Sequence, residues 1–244
     1  NWVYEPYYIE TTLLLDEIEG LQKNDKKEDS VFYKPVLLDV SALEKDQFFI
    51  QISYVSQTAE IRANLELIAH KADGKYLFSS PLIQKTRNWK SRSIQHYTFH
   101  YRDTINIEKS KEFIALSKFY DEKINVEPKK SIIYLVEDGL RSQKYFGLPY
   151  KSDYNGRGGR MTWSVLQENQ EIYMVHNSNF FEFDPHDLWH ARLSQVKSRR
   201  SVNHTIDEAI ATLYGGSWGF SWEELFVEFE KQVKFNKNTD WLAL

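Results

Sequence analysis

A pair of histidines four residues apart, His186 and His190, is the feature that most constrains how this chain can fold. The pair follows Asp184-Pro185, which predicts the start of a helix with the aspartate as N-cap and the proline at the first helical position. Residues four apart on a helix lie on one face about one turn apart, so two imidazoles can converge on one ion. The pattern therefore predicts a chelating helix from Pro185 to about Val196.

A second predicted helix carries an acid that can complete this site. Thr205 is a residue type that favours the N-cap, and Gly215-Gly216 is typical of a helix end. Glu208 follows in the first turn, so a loop and a second helix can bring its carboxylate back to the histidines. Two imidazoles and one carboxylate leave the fourth position of a tetrahedral zinc open, as in catalytic zinc sites. Asp207 is a candidate acceptor for the other ring N–H of an imidazole ligand.

These residues resemble the signature of a known enzyme family. His-Asp-x-x-His followed by Asp-Glu-x-x-Ala is similar to the paired motifs of the gluzincin metallopeptidases, the group with thermolysin-like and aminopeptidase-type enzymes. The resemblance covers about residues 130–230. It implies a helix-rich metallopeptidase domain and three zinc ligands: His186, His190 and Glu208.

The chain departs from the family at the residue after the first histidine. The family carries there the glutamate that takes a proton from zinc-bound water, whereas this chain has Asp187. The aspartate side chain is one methylene shorter, so its carboxylate would lie about 1 Å or more from the required position, and such a misplacement costs orders of magnitude in rate. The resemblance therefore implies a metal site with weak or absent peptide hydrolysis.

The resemblance also implies roles for residues around the metal. A downstream side chain stabilises the oxyanion in gluzincins, and an edge strand before the metal helix pairs with the substrate backbone. The pairing of an edge strand with the substrate backbone implies such a strand over residues 171–176, with Tyr173 and His176 near the substrate. Arg157, in the glycine-rich stretch 154–160, could hold a substrate carboxylate, although a turn that needs positive φ also explains this stretch. The candidates for the oxyanion are Tyr214, His204 and His176.

A structural explanation for the acids stands beside the metal site. Asp187 would be the third residue of its helix, where a carboxylate faces free backbone amides and the positive end of the dipole. Glu208, three residues after Thr205, has the spacing of a capping box. Three functions follow from these alternatives: a zinc-dependent metallopeptidase-like protein, an inactive peptidase fold that binds or scaffolds other proteins in the cell envelope, or a protein that binds no metal.

Composition limits the remaining classes of function. The net charge of −4 and the pI near 6.0 give no general electrostatic reason to bind nucleic acid or anionic membranes. No apolar run reaches the length of a membrane span, and the chain has no cysteine, which excludes disulfides and thiolate ligands. Asn1 in place of an initiator methionine is consistent with a removed leader, so we expect an exported, periplasmic or cell-surface protein, with lipid anchoring as one variant. The expected partner is a peptide or protein.

Periodicity predicts an α+β chain in two domains. Residues 11–21 have a helical stripe, residues 47–55 and 61–69 have strand character, and Asp73-Gly74 predicts a hairpin. Residues 93–101 are predicted to form one strand, which would separate His96 and His100 by about 13 Å, too far for one ion. A polar, proline-containing break after a helix over 106–123 predicts a boundary. The expected domains are a mainly antiparallel β domain over 1–126 and a metallopeptidase-like helical domain with a small sheet over 127–244.

Overall fold

A computed structural model of the 244-residue chain describes residues 2–44, 46–136, 139–154, 163–167, 170–176, 183–197, 201–217 and 219–236. It has seven α-helices and two five-stranded sheets over these residues, one of them fully antiparallel, which agrees with the predicted α+β class. The chain divides into two compact units: Asn1–Ser110 with Lys129–Glu182, and Lys111–Pro128 with Phe183–Leu244. No helix among the described residues is long and apolar enough to cross a membrane.

The first sheet of the first unit is antiparallel. Its strands follow the order β1-β2-β3-β4, with the short β8 also paired with β3. The bounds are β1 Lys34–Glu44, β2 Gln47–Val55, β3 Ile61–Ala72, β4 Lys75–Ser79 and β8 Tyr150–Lys151. Asp73 and Gly74 connect β3 to β4 with φ of 49° and 74°, the left-handed conformation that a two-residue hairpin loop requires. The predicted hairpin is confirmed.

The second sheet of this unit is mixed and has the order β5-β6-β7-β10-β9. The β6–β7 and β7–β10 pairs are parallel, and helices connect the partners of each pair, since parallel neighbours need a crossover. The strands are β5 Lys90–Ile94, β6 Tyr97–Tyr101, β7 Lys130–Val136, β9 Trp163–Gln167 and β10 Gln170–His176, and the connecting helices are α3 Ile107–Ile124 and α4 Gly139–Phe146.

Two predictions about this sheet are wrong. Residues 93–101 do not form one strand but a hairpin, because Gln95 takes a left-handed φ of 56° and Ile94 pairs with Tyr97. β10 is not an edge strand, because it lies between β7 and β9. The sheet also joins β6 and β7, which stand on opposite sides of the predicted boundary at 126/127, so the two units differ from the predicted domains.

The core of the first unit forms around the helix α1, Tyr8–Ile18. The apolar stripe predicted for residues 11–21 supplies Leu14 in α1 and Leu21 just after it, and both are almost fully buried. These side chains belong to a single cluster with residues of β3, β7 and the end of α4. Burial of this kind stabilises a fold by about 25 cal/mol per Å² of apolar surface, which explains why α1 forms there.

Gly147 ends α4 at a point where the backbone comes close to β3. Its φ is 109°, and an added Cβ would lie 2.4 Å from the backbone oxygen of Glu66 and 2.8 Å from Cδ of Pro81. We expect Gly147→Ala to lower the free energy of unfolding by about 2–4 kcal/mol, because strained φ and overpacking add. The matched change Gly74→Ala has a φ of 74° and open space around the added Cβ, so it should cost about 1 kcal/mol. Urea denaturation of both variants measures the difference, and equal losses would contradict the packing argument.

The second unit contains the helices α5 Pro185–Leu193, α6 His204–Gly215 and α7 Trp222–Phe235, together with most of α3. Ser221 and Glu224 form a capping box at the start of α7. A buried ion pair joins α3 to α5: the Arg192 guanidinium donates to both carboxylate oxygens of Asp121, at 2.7 and 2.8 Å. Tyr120 adds a hydrogen bond to the Pro185 carbonyl at 3.2 Å. Burial, then the charges of Asp184 and Tyr214, raise the pKa of the Tyr120 hydroxyl, which therefore stays protonated and able to donate.

Candidate metal centre

The helix that carries the two histidines begins as predicted. Asp184 is the N-cap of α5, and its carboxylate accepts a hydrogen bond from the His186 backbone N–H at 3.0 Å. Pro185 is the first helical residue, which makes Asp187 the third. The helix ends at Leu193, before the predicted Val196. The local sequence thus places His186 and His190 on consecutive turns of one face.

The cap of the second helix differs from the prediction, and the difference bears on Glu208. Asn203, not Thr205, is the N-cap of α6, and its side chain accepts from the Ile206 backbone N–H at 3.2 Å. Glu208 is therefore the fifth helical residue, beyond the third position from which a capping box is made. The capping explanation for Glu208 is wrong, and the direction of its carboxylate needs another cause.

The carboxylate of Glu208 faces both histidines. Its Oε2 lies 3.2 Å from Nε2 of His186, and its Oε1 lies 3.4 Å from Nε2 of His190. The two Nε2 atoms are 3.1 Å apart. Each residue thus offers one ligand atom, and these atoms form a compact triangle that could hold a metal ion. The triangle is partly open, because the side chains of His186, His190 and Glu208 keep 16%, 28% and 46% of their exposure.

The hydrogen bonds on the other side of each ring decide which nitrogen is free. Nδ1 of His186 lies 2.8 Å from the Gly216 carbonyl oxygen, and Nδ1 of His190 lies 3.0 Å from Oδ2 of Asp207. A carbonyl and a carboxylate can only accept, so both Nδ1 atoms must carry the proton. In the neutral rings both Nε2 atoms then present lone pairs to each other and to Glu208. The two Nε2 atoms lie 3.1 Å apart and each faces one oxygen of Glu208, at 3.2 and 3.4 Å, so a proton or a metal ion between these atoms would offset the repulsion of their lone pairs.

Asp207 and Trp189 hold the second histidine in place. The other oxygen of Asp207, Oδ1, accepts from the indole N–H of Trp189 at 3.0 Å. Trp189 is buried and packs edge-on against Tyr120, so the carboxylate is oriented from a fixed point. Such partners of a ligating histidine orient the ring and raise its basicity. Asp207 therefore lies where a positioning carboxylate is expected, while the contribution of Trp189 is not evident from the sequence.

The two glycines at the end of α6 do more than stop the helix. A Cβ on Gly215 would lie 2.4 Å from the His186 backbone nitrogen and 2.6 Å from the Pro185 carbonyl carbon. Gly215 thus lets the end of α6 lie directly against the first turn of α5. The next carbonyl, that of Gly216, can then accept from His186. A Gly-Gly pair is a signal for a helix end, but only the contact with α5 reveals its role in the site.

The other candidate residues lie in different places. His204, the first residue of α6, is 76% exposed, and its Nδ1 is 3.8 Å from Oε1 of Glu208. Tyr214 packs against the rings of Phe119, Tyr120 and Trp189 rather than bonding to the triangle. The three candidates for substrate binding are Arg157, Tyr173 and His176. Arg157 lies outside the described residues, while Tyr173 and His176 belong to the backbone of β10 in the first unit, and their side chains are not described.

The three residues have the spacing of a small metal-binding cluster. The two Nε2 atoms are 3.1 Å apart, and each faces a different oxygen of Glu208, at 3.2 and 3.4 Å. One ligand atom from each residue lies within 4.8 Å of the other two, so the cluster could hold a metal ion once one carboxylate oxygen turns toward both ring nitrogens.

Comparisons with the models of known protein families, with curated proteins and with solved structures find no match for this chain.

Proposed function

We propose that this chain is a zinc-dependent, metallopeptidase-like protein related to the gluzincins, with weak or impaired peptide hydrolysis. The observation that carries the proposal is the convergence of the His186 and His190 Nε2 lone pairs and the Glu208 carboxylate. The Nδ1–H groups of His186 and His190 donate hydrogen bonds to Gly216 and Asp207. In each neutral ring this leaves Nε2 as the nitrogen with a lone pair for a metal ion.

Zinc is the metal that suits this donor set. Imidazole and carboxylate ligands with tetrahedral spacing are common to zinc centres, whereas magnesium and calcium prefer oxygen ligands in larger numbers. The three protein ligands leave one position of a tetrahedron for water or substrate. Zinc bound there would polarise a scissile carbonyl and lower the pKa of its water.

Asp187 is the proposed acid–base residue. It directly follows His186 in the first turn of α5, so it shares a helical turn with that ligand. In the proposed reaction Asp187 takes a proton from water and returns it to the leaving amine. Its short side chain is the reason to expect slow turnover. Tyr214, on the α6 helix with Glu208, is the candidate for stabilising the oxyanion.

Asp187 also favours a second candidate function. An aspartate at the third position of a helix is well suited to the positive end of the helix dipole, so it has a reason to be there without any catalytic role. The alternative is an exported, catalytically inactive relative that binds peptides or proteins of the cell envelope through the same fold. Metal binding is common to both functions, and hydrolysis separates them.

Lengthening the acid tests the proposal. We expect Asp187→Glu to raise the hydrolysis of fluorescently labelled casein about 100-fold in the zinc-loaded protein, because the carboxylate then reaches the water. The variant Asp187→Gln has a side chain as long as glutamate but without a basic carboxylate, so its rate of hydrolysis should not increase. Zinc content, measured by mass spectrometry of the dialysed protein, should be equal in all three proteins.

The outcomes separate the two candidates. A gain in the glutamate variant alone supports an impaired peptidase. Full zinc loading without hydrolysis in any of the three proteins would leave the inactive, peptide-binding protein as the function. A wild type that binds no zinc at neutral pH would overturn both.

A further inference from the structure

His204 lies at the metal centre although it is not part of the three-residue signature. We propose that His204 is a fourth, displaceable ligand that closes the centre in the resting protein. The inference rests on the proposed metal centre and concerns its regulation: a centre with four protein ligands holds no water for hydrolysis, whereas one with three does.

The spacing along α6 provides the first argument. His204 and Glu208 are four residues apart on one helix, the same relation as that of His186 and His190 on α5. Side chains in this relation lie on one face about one turn apart. The proposed centre therefore has two pairs with this spacing, one on each of two adjoining helices, which would together supply four ligand atoms.

The distances provide the second argument. Nδ1 of His204 lies 3.8 Å from Oε1 of Glu208, while a tetrahedral zinc places its ligand atoms about 3.3–3.4 Å apart. His204 does not belong to the group of ligand atoms that lie within 4.8 Å of one another, so its ring must turn toward the two Nε2 atoms as well as approach Glu208, by rotation about its side-chain torsions. Oε1 of Glu208 is also 3.4 Å from Nε2 of His190, so His204 approaches the carboxylate oxygen that faces His190.

The surroundings of His204 provide the third argument. Its side chain is 76% exposed, in contrast to the 16% and 28% exposure of the His186 and His190 side chains. As the first residue of α6 it is held by the helix only at its backbone, so the ring can leave without disturbing the other three ligands. An anionic or carbonyl ligand could then take its place. A weak fourth ligand of this kind makes access to the metal conditional on a competing substrate.

Cobalt spectroscopy on the full chain tests the inference. Because the chain has no cysteine, His204→Cys would introduce its only thiol. In the cobalt-loaded variant we expect a thiolate-to-cobalt charge-transfer band in the near ultraviolet, which requires a direct bond. Thr205→Cys places a thiol one residue further on, about 100° around the helix, and should give no such band.

Removal of the ligand supplies a second readout. We expect His204→Ala to lower cobalt affinity about 10- to 100-fold and to let azide change the visible cobalt spectrum, because a position has opened. The wild type should resist azide at the same concentration. Circular dichroism and thermal unfolding of each variant show whether α6 is intact.

The possible results separate the inference from the proposed function. If the wild type binds cobalt but His204→Cys gives no charge-transfer band, and His204→Ala leaves affinity and azide response unchanged, the fourth ligand is wrong and the three-ligand centre stands. If the wild type itself binds no cobalt, the proposed metal centre fails.

Discussion

The variant His190→Ala should bind zinc about 100- to 1,000-fold more weakly than the wild type. Structural zinc sites with four ligands are worth about 10–16 kcal/mol, or about 2.5–4 kcal/mol for each ligand, and every 1.4 kcal/mol is a factor of ten. The change removes the Nε2 ligand and also takes from Asp207 the hydrogen bond to Nδ1. Competition with a chromophoric chelator at neutral pH measures the affinity.

Thermal unfolding gives an independent measure of the same loss. A ligand at 1,000 times its dissociation constant stabilises the folded state by about 4.1 kcal/mol, so zinc should raise the melting temperature of the wild type much more than that of the variant. The variant also loses the hydrogen bond between His190 and Asp207, so the melting temperatures of the two metal-free proteins serve as the reference for each shift.

His96→Ala is the matched control for this variant. His96 is an exposed histidine of the β5–β6 turn in the first unit and is not one of the proposed ligands. The change removes one imidazole from the protein without touching the centre, so zinc affinity should stay at the wild-type value. Equal affinities for wild type, His190→Ala and His96→Ala would mean that zinc does not bind between α5 and α6.

The largest loss of stability should come from the buried pair of Asp121 and Arg192. Their side chains keep 2% and 1% of their exposure, and two hydrogen bonds join them. Asp121→Ala leaves the guanidinium buried without its counter-charge, which costs about 3–5 kcal/mol in comparable cases. Urea denaturation, followed by circular dichroism, gives the change in the free energy of unfolding.

An exposed ion pair of the same chemistry is the control. Arg62 and Asp153 are 2.6 Å apart, but their side chains are 29% and 40% exposed. Water screens such a pair, so Asp153→Ala should cost about 0–1 kcal/mol. The prediction for the buried pair is wrong if the two aspartate variants lose similar stability.

A double variant shows whether charge or packing causes the loss. Asp121→Leu combined with Arg192→Met removes both charges and keeps apolar volume, and we expect most of the lost stability to return. Arg192 lies in the last turn of α5, so the pair also fixes the helix of the two histidines to α3. Asp121→Ala should therefore weaken zinc binding as well, and the double variant should restore part of that affinity.

Sequence patterns locate the regular elements well where local signals are strong. Residues 47–55 are predicted as a strand and 106–123 as a helix, and the structure has β2 at Gln47–Val55 and α3 at Ile107–Ile124. The signals come from strand-forming residues and a helical apolar stripe, which depend on local backbone geometry. The hairpin of β5 and β6 is missed because Gln95 adopts a left-handed φ of 56° without the glycine or asparagine that usually marks such a turn.

Non-local choices are where sequence patterns fail. Asn203 and Thr205 are both favourable N-cap residues, and nothing in their chemistry decides which begins α6. The position of β10 inside its sheet follows from pairing with β7, which is more than thirty residues earlier in the chain. Such pairing depends on which strands meet in the folded chain, and residue types along one strand carry little information about it.

The candidate centre shows the same contrast between local and non-local features. The sequence by itself determines that His186 and His190 share a helical face and that Asp184-Pro185 begins that helix, because the rise and turn of a helix are properties of the local backbone. Only the tertiary structure decides that Gly215 allows α6 to lie beside α5, that Gly216 and Asp207 accept hydrogen bonds from the two Nδ1–H groups, and that Glu208 faces the two Nε2 atoms. Those contacts join segments separated along the chain, and packing, not spacing, brings them within hydrogen-bonding distance.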